Sequence, residues 1–149
     1  MPIKQSLATL NLKLNKLQAV KWYYFENLTK LKNLQLSNNQ ISSIDKDSFI
    51  SLTKLESLDL SFNFISELNS NLFKNNLNLV QLNLESNLIS FIKYETFIGL
   101  EKLKSLNLES NQFFKFELPV LVSLTELKLG NNFIRTIKNY SHLKNMREL

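Results

Sequence analysis

Leucine returns along this chain in a fixed frame. Leu31, Leu34, Leu36, Asn39, Ile41 and Ile44 spell L-x-x-L-x-L-x-x-N-x-φ-x-x-φ, where φ is Leu, Ile, Val or Phe. Frames of this kind open near Leu7, Leu31, Leu55, Leu79, Leu103 and Leu124, and a truncated seventh appears at Met146. The Leu34-x-Leu36 alternation has period 2, so both leucines leave a short strand on one face. The same pair recurs as Leu10/Leu12, Leu58/Leu60, Leu82/Leu84, Leu106/Leu108 and Leu127/Leu129. One such strand cannot bury its apolar face alone, but six stacked in parallel close a continuous core. A fixed period with a fixed apolar pattern predicts a solenoid. The expected class is an α/β solenoid, a right-handed superhelix with one parallel sheet on its concave face.

Asn15, Asn39, Asn63, Asn87, Asn111 and Asn132 hold one place in the frame, the first five 24 residues apart and the last interval 21. They fall where each coil turns away from the sheet. An amide side chain there can donate and accept, pairing backbone groups of neighbouring coils that burial would leave bare. Asparagine is abundant in this chain, but abundance does not place it in phase six times. On the return path Phe25, Phe49, Phe73 and Phe97 form a second column, followed three residues later by Leu28, Leu52, Asn76 and Leu100. These are expected to fill the convex side over irregular or turn-like backbone. Asn76 interrupts the leucines, and Leu77 or a local shift is expected to make good the lost contact. Leu118 and then Tyr140 take the phenylalanine place later.

The frame resembles the leucine-rich repeat superfamily over Leu7 to Leu149, nearly the whole chain. Units of 24 residues with a late phenylalanine, as in Phe49-Ile-Ser-Leu52, look like the subfamily common in receptor ectodomains. The shorter last unit, from Asn132 to Leu143, is similar to the subfamily of intracellular scaffolds and phosphatase regulators. The resemblance implies a protein-binding scaffold. Its alternative is a repeat segment of a larger receptor ectodomain or regulatory subunit whose effector part lies elsewhere.

Residues 1–149 carry no Pro/Gly/Ser-rich linker, so one domain is expected. No apolar run reaches the length of a membrane span, and no secretory signal precedes Leu7. Cysteine is absent, which excludes disulfides and thiolate metal sites. As the chain stands these features fit a cytoplasmic protein; as a fragment of an ectodomain it belongs at the cell surface. A fragment is the expectation, because no cysteine-rich cap is legible at either end. The aromatic run Trp22-Tyr23-Tyr24 is either a makeshift cap or a contact for further sequence.

Residues between the inward leucines point to the concave face, at the third, fifth and seventh places of each unit. The fifth place holds Asn11, Gln35, Asp59, Asn83, Asn107 and Lys128; the seventh holds Lys13, Ser37, Ser61, Glu85, Glu109 and Gly130. Glu85 beside Glu109 is a like-charge pair on adjacent strands, mildly unfavourable by itself. Either a basic partner compensates it, or it reflects local duplication, since Leu82-Asn-Leu-Glu-Ser-Asn87 repeats as Leu106-Asn-Leu-Glu-Ser-Asn111. Just past the strands, Phe62, Phe64, Leu88, Phe114 and Phe133 occupy places that are usually polar. They either form an interface hot spot or fold over the edge of the core. Six strands span roughly 24 Å and expose on the order of 400–500 Å², short of the ~800 Å² a standard interface takes from each partner. Tight binding is therefore expected to recruit this edge as well.

A net charge of +5 invites a nucleic-acid reading. Lys30, Lys32, Lys54, Lys102, Lys104 and Arg147 gather where strands begin, yet Glu56 and Glu101 interleave and no aromatic platform accompanies them. A solvated rim is the expectation, with a protein partner and no nucleic acid. His142 is the sole histidine, so no metal and no cofactor is expected. Asn27-Leu-Thr29 and Asn139-Tyr-Ser141 match the glycosylation sequon, at a frequency chance explains in so Asn-rich a chain. No nucleophile–base pair occupies positions able to converge, and an open sheet excludes no water, so no enzyme activity is expected.

Overall fold

The computed structural model describes residues 6–117 and 121–138. Six strands stack in parallel, one per coil: β1 (Thr9–Asn11), β3 (Asn33–Gln35), β5 (Ser57–Asp59), β6 (Gln81–Asn83), β7 (Ser105–Asn107) and β9 (Glu126–Lys128). The register pairs Leu10, Leu34, Leu58, Leu82, Leu106 and Leu127 across successive strands. From Leu34 to Leu127 these central leucines are at most 2 % exposed, whereas Leu10 on the edge strand is only half-buried.

Two further ladders run beside the main sheet, and the leucine spacing did not announce them. β2 (Ala19–Val20) pairs with β4 (Ser43–Ile44), and β8 (Lys115–Glu117) with β10 (Thr136–Lys138), again in parallel. Strands this short depend on their neighbours in the stack more than on local propensity. Among the described residues the convex return is built of turns and one 3-10 turn, Tyr94–Phe97, and no α-helix occurs.

Phe25, Phe49, Phe73 and Phe97 are all buried. The first three stack with near-parallel rings, their centroids 6.2 and 5.9 Å apart. Asn76 corrects one expectation. It is fully buried in the leucine column, while Leu77 is 54 % exposed and replaces nothing. The amide stays because its Nδ2 donates to the Phe49 and Leu52 carbonyls of the preceding coil, at 3.0 and 2.9 Å. Trp22, Tyr23 and Tyr24 pack edge to face on one another, and Tyr24 on Phe25, but all three stay exposed. Leu118, Tyr140 and the seventh unit at Met146 lie outside the described residues.

Each coil leaves the sheet through a left-handed residue: Leu14, Asn38, Phe62, Ser86, Ser110 and Asn131, all with φ between 53 and 57°. That conformation brings the next residue, the in-phase asparagine, back into the stack. Asn63 Nδ2 donates to the carbonyls of Leu36, Leu60 and Ser61 at 3.0–3.1 Å, and its Oδ1 accepts from the Ile41 N–H at 3.0 Å. Asn39, Asn87, Asn111 and Asn132 repeat the pattern, each taking the N–H of the residue two places beyond the preceding asparagine. Among the described residues, Asn15 on the first coil bonds only to its own Leu12 and Lys13 carbonyls, and it is exposed.

Candidate functional site

Outward positions of the six strands form an open concavity of about 490 Å³. Thr9, Asn33, Ser57, Gln81, Ser105 and Glu126 make one row by register, and Asn11, Gln35, Asp59, Asn83, Asn107 and Lys128 the next. Members of both rows line the concavity, so Gln35, Asp59, Asn83, Asn107 and Lys128 come together on one surface. The first row belongs to the third place of each unit, where alternation alone indicates Glu126, Ser105 and Asn33. Those residues were absent from the sequence-based candidates.

Several of these side chains also hold their own strand ends. Asp59 Oδ1 accepts from the Ser61 N–H at 3.0 Å and from its hydroxyl at 2.6 Å. Asn83 and Asn107 accept from the N–H groups of Glu85 and Glu109, at 3.1 and 3.0 Å. A carbonyl or carboxylate oxygen two residues back thus caps a donor that the short strand leaves unpaired. Asn107 Nδ2 donates to Glu85 Oε2 at 3.1 Å. Glu109 leans over Gly130, where an added Cβ would stand 2.9 Å from its Oε1.

At the other end of the sheet Ser105 Oγ donates to Glu126 Oε2 at 2.7 Å, and Lys128 Nζ lies 3.5 Å from Oε1. The hydroxyl first, and the ammonium second, hold the Glu126 carboxyl below the usual carboxylate range. Lys128 is therefore partly neutralised within the chain. Asp59, Glu126 and Lys128 are the charged residues lining the concavity, whereas Glu85 and Glu109, expected there from the sequence, are not part of its lining.

The edge residues do not fold over the core. Phe62, Phe64, Leu88 and Phe133 are 48, 55, 41 and 63 % exposed. Phe114 is exposed too, with the Arg135 guanidinium 5.0 Å above its ring. Lys30, Lys32, Lys54, Lys102 and Lys104 are exposed on the opposite rim. Two of these are held locally, Lys32 by Glu56 at 2.9 Å and Lys102 by Asn78 at 2.8 Å. Among the described residues no three His, Cys, Asp or Glu side chains converge as a metal site would require. No described helix is long and apolar enough to cross a membrane. Asn27 of the first sequon is exposed; Asn139, His142 and Arg147 lie outside the described residues.

The solved structures similar to this one share its architecture. The Toll–Spatzle complex, described as a hub in Drosophila development and innate immunity, matches with a TM-score of 0.79 and 27% identity over 89% of this chain and 20% of that one. The TLR13–ssRNA13 complex matches at 0.84 and 27% identity, over 97% of this chain and 26% of that one. The APL1 leucine-rich repeat domain matches at 0.85 and 21% identity, over 95% and 38%, a likeness of fold alone. This chain thus spans between a fifth and two-fifths of those proteins. No curated protein matches its sequence. The Leucine rich repeat family model matches residues 5–65 and again 53–113, most of the chain. With the frame, the stacked strands and these matches in agreement, the chain belongs to the leucine-rich repeat family.

Proposed function

We propose that the chain is a non-enzymatic protein-binding scaffold, holding a partner on the concave face and the adjoining strand-end edge. The carrying observation is the register that gathers Gln35, Asp59, Asn83, Asn107 and Glu126 around one open concavity. Amide and hydroxyl groups there offer both donors and acceptors, and Asp59, Glu85 and Glu109 favour a partner with a basic patch. The sheet alone is smaller than a standard interface, so Phe62, Phe64, Leu88 and Phe133 supply the apolar remainder. A second reading, a segment of a longer receptor-like ectodomain at the cell surface, draws on the likeness to the Toll and TLR13 structures, of which this chain matches about a fifth to a quarter. The TLR13 complex contains single-stranded RNA, and the exclusion of nucleic acid made from the sequence finds no support in that likeness.

Hydrogen exchange on the chain with a captured binder tests the proposal. Protection over 33–35, 57–64, 81–88 and 105–109 is expected. The triple change of Asp59, Glu85 and Glu109 to Ser is expected to weaken binding, and Phe62→Ser with Phe64→Ser to weaken it further. Protection confined to the convex turns overturns the proposal. A captured RNA displaced by salt moves the reading to nucleic acid.

A further inference from the structure

Where strands leave the sheet, the surface carries chemistry the concave face lacks. Phe62 and Phe64 on the third coil, and Leu88 and Phe91 on the fourth, are all exposed. One coil earlier the places of Phe62 and Phe64 hold Asn38 and Gln40, and on the fifth coil Ser110 and Gln112. The fold makes no demand for phenylalanine at 62, because that place is left-handed and suits asparagine better. Carboxylate-bearing residues run alongside. The Phe62 N–H donates to the Glu85 carbonyl at 2.8 Å and the Ser86 N–H to the Glu109 carbonyl at 2.9 Å, so these residues adjoin on neighbouring coils. Farther along the same edge the chain makes the matching contact itself, with Arg135 over the Phe114 ring.

We propose that this edge binds an arginine-bearing apolar segment of a protein partner. The partner's aliphatic side chains lie on Phe62, Phe64 and Leu88, and its guanidinium groups lie over the exposed rings and reach towards Glu85 and Glu109, whose backbone adjoins Phe62 and Ser86. The inference rests on the protein-binding reading and names the partner's chemistry. Charge selects the occupant. An anionic segment meets two carboxylates, a purely apolar one strips them of water without repayment, and a guanidinium satisfies ring and carboxylate together.

Fluorescein-labelled peptides of about 14 residues, whose extended length of roughly 46 Å exceeds the roughly 24 Å of six stacked strands, make the test. Each is built of leucine with arginine, lysine or glutamate as its one charged residue. Anisotropy is expected to show the arginine peptide tightest, the lysine peptide roughly two- to tenfold weaker, and no saturable binding of the glutamate peptide. Phe62→Asn with Phe64→Ser should abolish binding of the arginine peptide. Glu85→Gln with Glu109→Gln should weaken it and remove most of its salt dependence. Phe62→Asn relieves a left-handed phenylalanine and Phe64 is exposed, so the pair variant is expected to stay folded, which thermal melts check. Equal binding of the glutamate peptide, or full binding by the phenylalanine pair variant, overturns the inference. Binding that survives the phenylalanine pair variant but falls in Gln35→Ser with Asp59→Ser leaves the concave-face reading standing while the edge proposal fails. Self-association seen by sedimentation and lost in the phenylalanine variant assigns the edge to a second copy and also overturns it.

Discussion

Replacing Asn63 by alanine removes four hydrogen bonds, but their loss is unequal. The Leu36 carbonyl keeps a donor from Asn39, the Leu60 carbonyl one from Asn87, and the Ser61 carbonyl one from the Asn38 N–H. Only the Ile41 N–H, in a fully buried residue, loses its acceptor outright. An orphaned buried donor costs about 1–3 kcal/mol, and the thinned carbonyl bonds add a few tenths. The expected loss is thus about 2 kcal/mol, or roughly 4–8 °C in melting temperature for a chain of this size. Asn15→Ala is the control: its bonds stay within its own exposed coil, so a change within about 0.5 kcal/mol is expected. Asn63→Asp keeps the acceptor for Ile41 but aims a carboxylate at three carbonyl oxygens, which raises its folded pKa above the unfolded value. Relative to alanine it should therefore be worst at neutral pH and recover as pH falls, since a raised folded pKa places the stabilisation below the unfolded pKa. Thermal melts followed by circular dichroism across pH measure all three. Equal losses at positions 15 and 63, or an unmoved Asn63→Ala melt, would show that the inter-coil bond to Ile41 carries no stability.

Phe62→Asn should stabilise the chain by up to about 1 kcal/mol, because φ of 54° is costly for phenylalanine and ordinary for the asparagines at 38 and 131; a lower urea midpoint refutes it. Asn76→Leu is expected to be neutral within about 1 kcal/mol: it removes an unpartnered buried Oδ1, and the Phe49 and Leu52 carbonyls keep the N–H donors of Leu52 and Leu55. A loss above about 2 kcal/mol in the same assay makes the amide a required part of the column. Ser105→Ala should move the Glu126 pKa up towards its ordinary value, read by carboxyl chemical shifts, since the Ser105 hydroxyl is the first cause of its depression. An unchanged titration contradicts that cause.

The leucine frame by itself determined the stacked strands, because a period of 2 inside a period of 24 allows one inward face and one parallel partner for Leu34, Leu58, Leu82 and Leu106. It also picked out the buried phenylalanine column, since an apolar residue repeated in phase has only the core to occupy. Four matters were decided in three dimensions. The left-handed turn at Phe62 was invisible because phenylalanine gives no signal for it; the requirement comes from the coil's path and appears in sequence only at Asn38 and Asn131. Asn76 looked like a gap to be filled by Leu77, yet carbonyls of the preceding coil lay within reach of its amide. Lys128 stands in the sequence only as a fifth-place residue of the concave face, and the strand end sets Glu126 beside it. The exposure of Phe64, Leu88 and Phe133 depended on whether the turn after each asparagine aims its next residue into the stack or out of it, and that of Phe62 on the left-handed turn just before Asn63. Periodicity settles what repeats in every coil, whereas a contact between unlike residues of adjacent coils exists only once the coils are stacked.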